Sequence, residues 1–115
     1  MGIIHHGSYI LWFEEARVAF LRDKGAFAMA GLEAINYPVL SLQVDYKKSL
    51  LFEDSVVVAV TGKLDGAKIH FTYEIQTKRF TDPVAFGKTT HVAMDMVTKK
   101  PIRLPKVLVQ IFSES

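Results

Sequence analysis

The sequence predicts an α+β fold in which one long, largely apolar helix is wrapped by a curved antiparallel sheet. Apolar residues recur at three- and four-residue spacing from about Ser8 to Lys24, and beyond Pro38 the period drops to two through four successive segments. The chain has 115 residues and no repeat, low-complexity tract or linker, so residues 1–115 form one domain around a single core.

In the helix, Tyr9, Trp12, Phe13, Ala16, Ala19 and Phe20 form the periodic set, with Ile10, Leu11, Val18 and Leu21 between them. It is apolar on most sides. Ser8 is the expected N-cap, and Arg22, Lys24 and Gly25 mark the C-terminal stop. The first strand alternates Leu40, Leu42, Val44 and Tyr46 with Ser41, Gln43, Asp45 and Lys47, a pattern for one buried and one wetter face. The second spans about Ser55 to Lys63; its run Val56-Val57-Val58-Ala59-Val60 predicts burial on both faces. Asp65-Gly66 is expected to form a two-residue hairpin turn. A third strand alternates Ile69, Phe71, Tyr73 and Ile75 with polar residues, and a fourth runs from about Val84 to Val97, completing a meander. Lys106 to Phe112 reads as a short helix rather than a last strand.

Composition narrows the function classes. The chain is 50% hydrophobic and 23% charged, too apolar for intrinsic disorder. With no cysteine, disulfides, thiolate zinc sites and a cysteine nucleophile are excluded, and the cytoplasm is the expected compartment. A net charge of +2 without a Lys/Arg stripe argues against nucleic-acid binding. No apolar run reaches the roughly 18 residues of a membrane span.

A long helix covered by the concave face of such a sheet is the hotdog architecture. The stretch Gly2-Ile3-Ile4-His5-His6-Gly7-Ser8-Tyr9, followed by Trp12-Phe13-Glu14, Ala16-Arg17 and Leu21-Arg22, resembles the 4-hydroxybenzoyl-CoA thioesterase family of hotdog acyl-CoA thioesterases, in its bacterial, Tol-Pal-associated form. The likeness continues through Tyr37-Pro38-Val39, Val44-Asp45-Tyr46-Lys47, Phe52 with Asp54, and Ile102 with Leu104-Pro105. It implies hydrolysis of an acyl-CoA thioester without a cofactor, by a homodimer or homotetramer with active sites at subunit boundaries. In that family a strand precedes the glycine, and an acidic residue two positions before the equivalent of Met1 attacks the thioester or activates water. The resemblance therefore implies that Met1 is internal to a longer natural protein whose first strand lies upstream.

The candidate site gathers at the helix start. Backbone turns at Gly2 and Gly7, the rings of His5 and His6, and the unpaired amides there offer a place to hold a developing negative charge. The resemblance gives His6 the main role: its N–H polarises the thioester carbonyl. Glu14, eight residues on, is a candidate general base, with a buried Glu14–Arg17 ion pair or a subunit contact as the structural alternative. Tyr9 belongs with the substrate-binding set. For the phosphates of CoA, the resemblance suggests Lys63, Lys68, Lys78, Arg79 and Lys88, with Lys68 favoured because it follows the turn. Acyl contacts would fall to Ile10, Phe13, Phe27 or Tyr46. His70 and His91 have no metal-ligand spacing and are assigned structural roles, so no metal is expected. Two rivals remain: a hydratase, disfavoured because no Asp precedes Asp23, and a non-catalytic acyl-thioester binding or assembly module lacking the upstream carboxylate.

Overall fold

The structure, a computed structural model, describes residues 6–25, 35–51 and 54–113. Its elements are α1 (His6–Asp23), β1 (Ile35–Asn36), β2 (Val39–Tyr46), β3 (Val56–Asp65), β4 (Lys68–Thr77), β5 (Ala85–Val92), β6 (Met94–Asp95) and α2 (Lys106–Ser113). Helix α1 ends as expected: Gly25 takes φ +77°, and its amide and that of Lys24 bond the carbonyls of Arg22 and Phe20. It begins earlier than expected. The helix already includes His6, so Ser8 lies within it rather than at the cap.

Four strands form one antiparallel sheet in the order β2-β5-β4-β3. Strands β3, β4 and β5 are a meander, but β2 lies beside β5 instead of β3, which corrects the simple meander expected from sequence order. Among the described residues this placement makes β2 and β3 the two edges. Their exposure follows: Val57 is 65% exposed on a strand read as buried on both faces, and Leu40, Leu42 and Tyr46 on β2 are exposed as well. The period-two pattern set the facing of Leu42, Val44 and Tyr46 correctly, but an edge strand is covered from only one side. The hairpin turn is one residue further on than expected. Asp65 pairs with Lys68, Gly66 and Ala67 form the loop, and of these two only Gly66 has positive φ, the pattern of a II′ turn. The fourth strand stops at Val92 and does not run to Val97. The short β6 pairs with β1, and the Asp95 carboxylate then accepts from the amides of Val97 and Thr98, which bends the chain away.

Helix α1 crosses the inner face of the sheet diagonally, the hotdog arrangement. Tyr9 meets Tyr46 of β2 edge-on at 4.8 Å, Phe13 stacks on Tyr73 of β4 at 4.5 Å, and Phe20 reaches Phe71. Two glycines make the approach possible. A Cβ on Gly87 would collide with the Phe13 ring, and one on Gly62 with Phe112 of α2. The expected second helix thus closes the far end of the core through Leu108, Ile111 and Phe112.

Candidate functional site

Helix α1 is described from His6 onward, and amides at a helix start carry the positive end of the helix dipole. His6 and Gly7 are its first two residues; Gly2 and His5 lie outside the described residues. Tyr9, one turn in, is 3% exposed, with its ring against Trp12 and Tyr46. Burial, and after it the phenol of Tyr46 and the carboxylate of Asp54, hold the Tyr9 hydroxyl above the usual tyrosine range. Tyr9 is therefore a neutral wall at this end of the helix.

Glu14 lies on the exposed side of α1. It lines a groove of about 380 Å³ with Leu11, Glu15, Val18 and Arg22. Eight residues of helix separate it from His6, about 12 Å along the axis, although helical side chains lean toward the N-terminus and recover part of that distance. The expected Glu14–Arg17 pair is absent among the described residues, since Arg17 turns inward and donates to Tyr73 Oη at 3.2 Å.

That bond begins a relay not foreseen from sequence. Tyr73 Oη lies 2.8 Å from Thr89 Oγ1, Thr89 Oγ1 lies 2.9 Å from His91 Nε2, and His91 Nδ1 lies 2.9 Å from the Tyr37 carbonyl. Its direction follows from the two ends. A guanidinium only donates and a carbonyl only accepts. His91 Nδ1–H must therefore donate to Tyr37; a neutral ring then accepts from the Thr89 hydroxyl, and Thr89 accepts from Tyr73. Burial keeps the ring neutral by lowering the His91 pKa, with the Tyr37 carbonyl opposing and the Arg17 charge assisting. The sequence signal was present: Tyr73, Thr89 and His91 are polar groups at core-facing positions of β4 and β5.

The candidate phosphate ligands separate. Arg79 is committed to Asp54, with Nε 2.6 Å from Oδ1 and Nη2 2.7 Å from Oδ2, and it also donates to the Ser49 carbonyl. This pairing and the Leu51 amide hold the Asp54 carboxyl below the usual range. Lys68 is exposed at the start of β4, opposite Asp65, on the outer sheet face. Lys63 and Lys88 line a concavity on that same face. Of the acyl candidates, Phe13 is 1% exposed in the core, Ile10 and Tyr46 are accessible, and Phe27 lies outside the described residues. No helix among the described residues is long and apolar enough to cross a membrane.

Comparison with known proteins bears on this site. The profile of the family described as the thioesterase-like superfamily matches residues 1–112. The acyl-CoA thioesterase YbgC of Haemophilus influenzae is 27% identical over 108 residues, covering 91% of this chain and 78% of that protein. YneP of Bacillus subtilis is 28% identical over 109 residues, covering 92% and 78%. The DHNA-CoA thioesterase from Staphylococcus aureus superposes with a TM-score of 0.86 at 31% identity, over 99% of this chain and 79% of that one.

Proposed function

Because the chain belongs to the thioesterase-like superfamily, we propose that it hydrolyses an acyl-CoA thioester to the free acid and CoA, without a cofactor. Within the superfamily we place it with the 4-hydroxybenzoyl-CoA thioesterase family, in the Tol-Pal-associated branch, on the His6 to Arg17 signature. The observation that carries the reading is α1, which from His6 onward runs along the inner face of the sheet with Tyr9 of its N-terminal part against Tyr46. Water adds to the thioester carbon, the carbonyl oxygen becomes an oxyanion, and the C–S bond breaks as the leaving thiolate takes up the proton. The His6 N–H donates to that oxyanion without reorganising, and one such donor is worth about 3 kcal/mol. By the resemblance, Gly2, His5 and Gly7 belong to the substrate-binding set, Tyr9 bounds it, and Lys68 receives phosphate of CoA across the subunit boundary. Glu14 serves as base on the attacking water.

We place the enzyme in the cytoplasm as a homodimer or homotetramer. The exposed apolar side chains Val39, Leu40, Leu42 and Tyr46 of β2 and Val57 of β3 support self-association; a purely monomeric mass in light scattering would contradict it. For the activity, thiol release is measured from short-chain and aromatic acyl-CoAs. His6→Pro removes the amide at a helix position that tolerates proline and is expected to cost about 100- to 1,000-fold in kcat. His6→Ala keeps the amide and is expected to cost less. No thiol release from either substrate class overturns the reading, and saturable binding without turnover returns the non-catalytic binding module.

A further inference from the structure

From β6 onward the chain turns back on itself in a short hairpin. It lies at the end of the sheet away from Tyr9, because Tyr9 meets Tyr46, Tyr46 pairs with Ala85 at the start of β5, and the hairpin follows the far end of β5 at Val92. Its backbone is well tied. The Asp95 amide donates to the Lys100 carbonyl at 3.0 Å, the Lys99 amide donates to the Asp95 carbonyl at 2.9 Å, and Met94 bridges Pro101. Asp95 Oδ1 accepts from the amides of Val97 and Thr98, and Lys99 completes the reversal at φ +61°. The side chains of the tip have no such cover. Met96 is 48% exposed and Val97 is 85% exposed, the highest value for a large hydrophobic residue among the described residues.

The charge around this tip has one sign. Lys99, Lys100, Arg103 and Lys106 are all exposed, and no Asp or Glu occurs from residue 96 to residue 113. Four of the fourteen Lys and Arg residues therefore fall within eight positions, and the rest of the chain holds ten of them against twelve Asp and Glu. The Ile102 amide donates to the Ala93 carbonyl at 3.0 Å, which keeps Arg103 beside the base of the hairpin. Asp95 is the one acid there, and the two tip amides already occupy its oxygen. Among the described residues none of the four cations has a carboxylate partner.

Shape and charge together select the occupant. A stable contact with a rigid protein buries about 800 Å² per partner, and two side chains at the apex of a hairpin supply only a fraction of that. A bilayer surface deforms around the apex. It takes Met96 and Val97 among its headgroups and sets anionic phosphates against the surrounding cations, the pairing of apolar and basic groups that holds peripheral proteins on membranes. A nucleic acid would satisfy the charges and leave both apolar side chains in water. Because the hairpin is already tied, docking orders little backbone.

We propose that the hairpin of residues 94–101 docks on an anionic lipid surface, with Met96 and Val97 entering the headgroup layer and Lys99, Lys100, Arg103 and Lys106 facing lipid phosphates. Such docking needs no membrane-spanning helix and does not depend on thioester hydrolysis, so the test reads binding alone. The full chain is sedimented with vesicles of phosphatidylcholine and, separately, of phosphatidylcholine mixed with phosphatidylglycerol. Partition onto the mixed vesicles should exceed that onto phosphatidylcholine at least about tenfold and fall as salt is raised. Met96→Ser with Val97→Ser, and separately Lys99→Gln with Lys100→Gln, should each lower it by about tenfold or more while urea unfolding stays unchanged. Depth is read by fluorescence. The chain has no cysteine, so a polarity-sensitive dye on Val97→Cys reports the tip alone and should shift to the blue on mixed vesicles. The same dye on Ser55→Cys, exposed beside the start of β3 at the other end of the sheet, should not shift. Sedimentation with neither vesicle, equal partition onto both, partition unaltered in the double variants, or no dye shift at position 97 overturns the proposal. An apolar double variant that loses self-association in light scattering yet keeps vesicle binding makes the tip a contact between copies and overturns it as well.

Discussion

Thr89 and Thr90 are neighbours on β5, and each holds a histidine at 2.9 Å, on opposite sides of the sheet. On the inner side His91 is fully buried, and its second nitrogen is fixed on the Tyr37 carbonyl. On the outer side the second nitrogen of His70 faces an exposed carboxylate at 3.4 Å. The local chemistry is the same and the consequence differs. Where water is excluded, each proton in the row has one permitted position and the group becomes part of the frame. Where water has access, the partner carboxylate is exposed and the pairing is loose.

Mutations that test this contrast should fall in a definite order. Phe13→Ala empties the centre of the inner face and is expected to cost about 3–5 kcal/mol in urea unfolding. Gly87→Ala pushes a methyl into the same ring and should cost about 1–3 kcal/mol, less when Phe13 is first shortened to Leu. Tyr73→Phe cuts the relay and leaves Arg17 and Thr89 short of a partner, for about 1–2 kcal/mol. Acid probes the same row. The folded pKa of His91 lies below the unfolded value of 6.5, so above that pH the group has no effect, and below it the unfolded chain takes the proton first. Stability should therefore decline as pH falls from about 6.5 toward the folded pKa, and His91→Gln should flatten that decline. Asp54 acts in a separate, lower window: its pairing with Arg79 stabilises above the unfolded value of 3.8 and is lost as pH falls through the depressed folded pKa. On the outer face, His70→Ala should change stability by no more than about 0.5 kcal/mol. A larger loss there would erase the distinction between the two faces.

Much of the fold was legible because it rests on local periodicity. The spacing of Tyr9, Phe13, Ala16 and Phe20 marked α1, and strict alternation from Ile69 to Ile75 assigned the faces of β4. What local pattern does not carry is the neighbour of each strand. Val56 to Val60 reads as an interior strand, yet among the described residues it lies at an edge, because β3 pairs with β4 alone and β2 pairs with β5. The same limit hid the relay. Arg17 reads as half of a helical ion pair with Glu14 until Tyr73 and Thr89, remote in sequence, are brought beneath it. At the candidate site, the helix was legible from Ser8, and the structure carries it back at least to His6. Gly2 and His5 fall outside the described residues, so their part rests on the resemblance alone.

The ladder between β2 and β5 skips a step: Val39 faces His91 and Ser41 faces Thr90, leaving Leu40 without a counterpart. An extra residue of this kind coils the strand locally, so the rim of the sheet is not a straight template along which foreign chains could zip. Excising Leu40 would straighten that rim. The shortened protein should retain its interior yet form fibrillar or amorphous assemblies at concentrations where the parent stays dispersed, an outcome that sedimentation and dye binding would register.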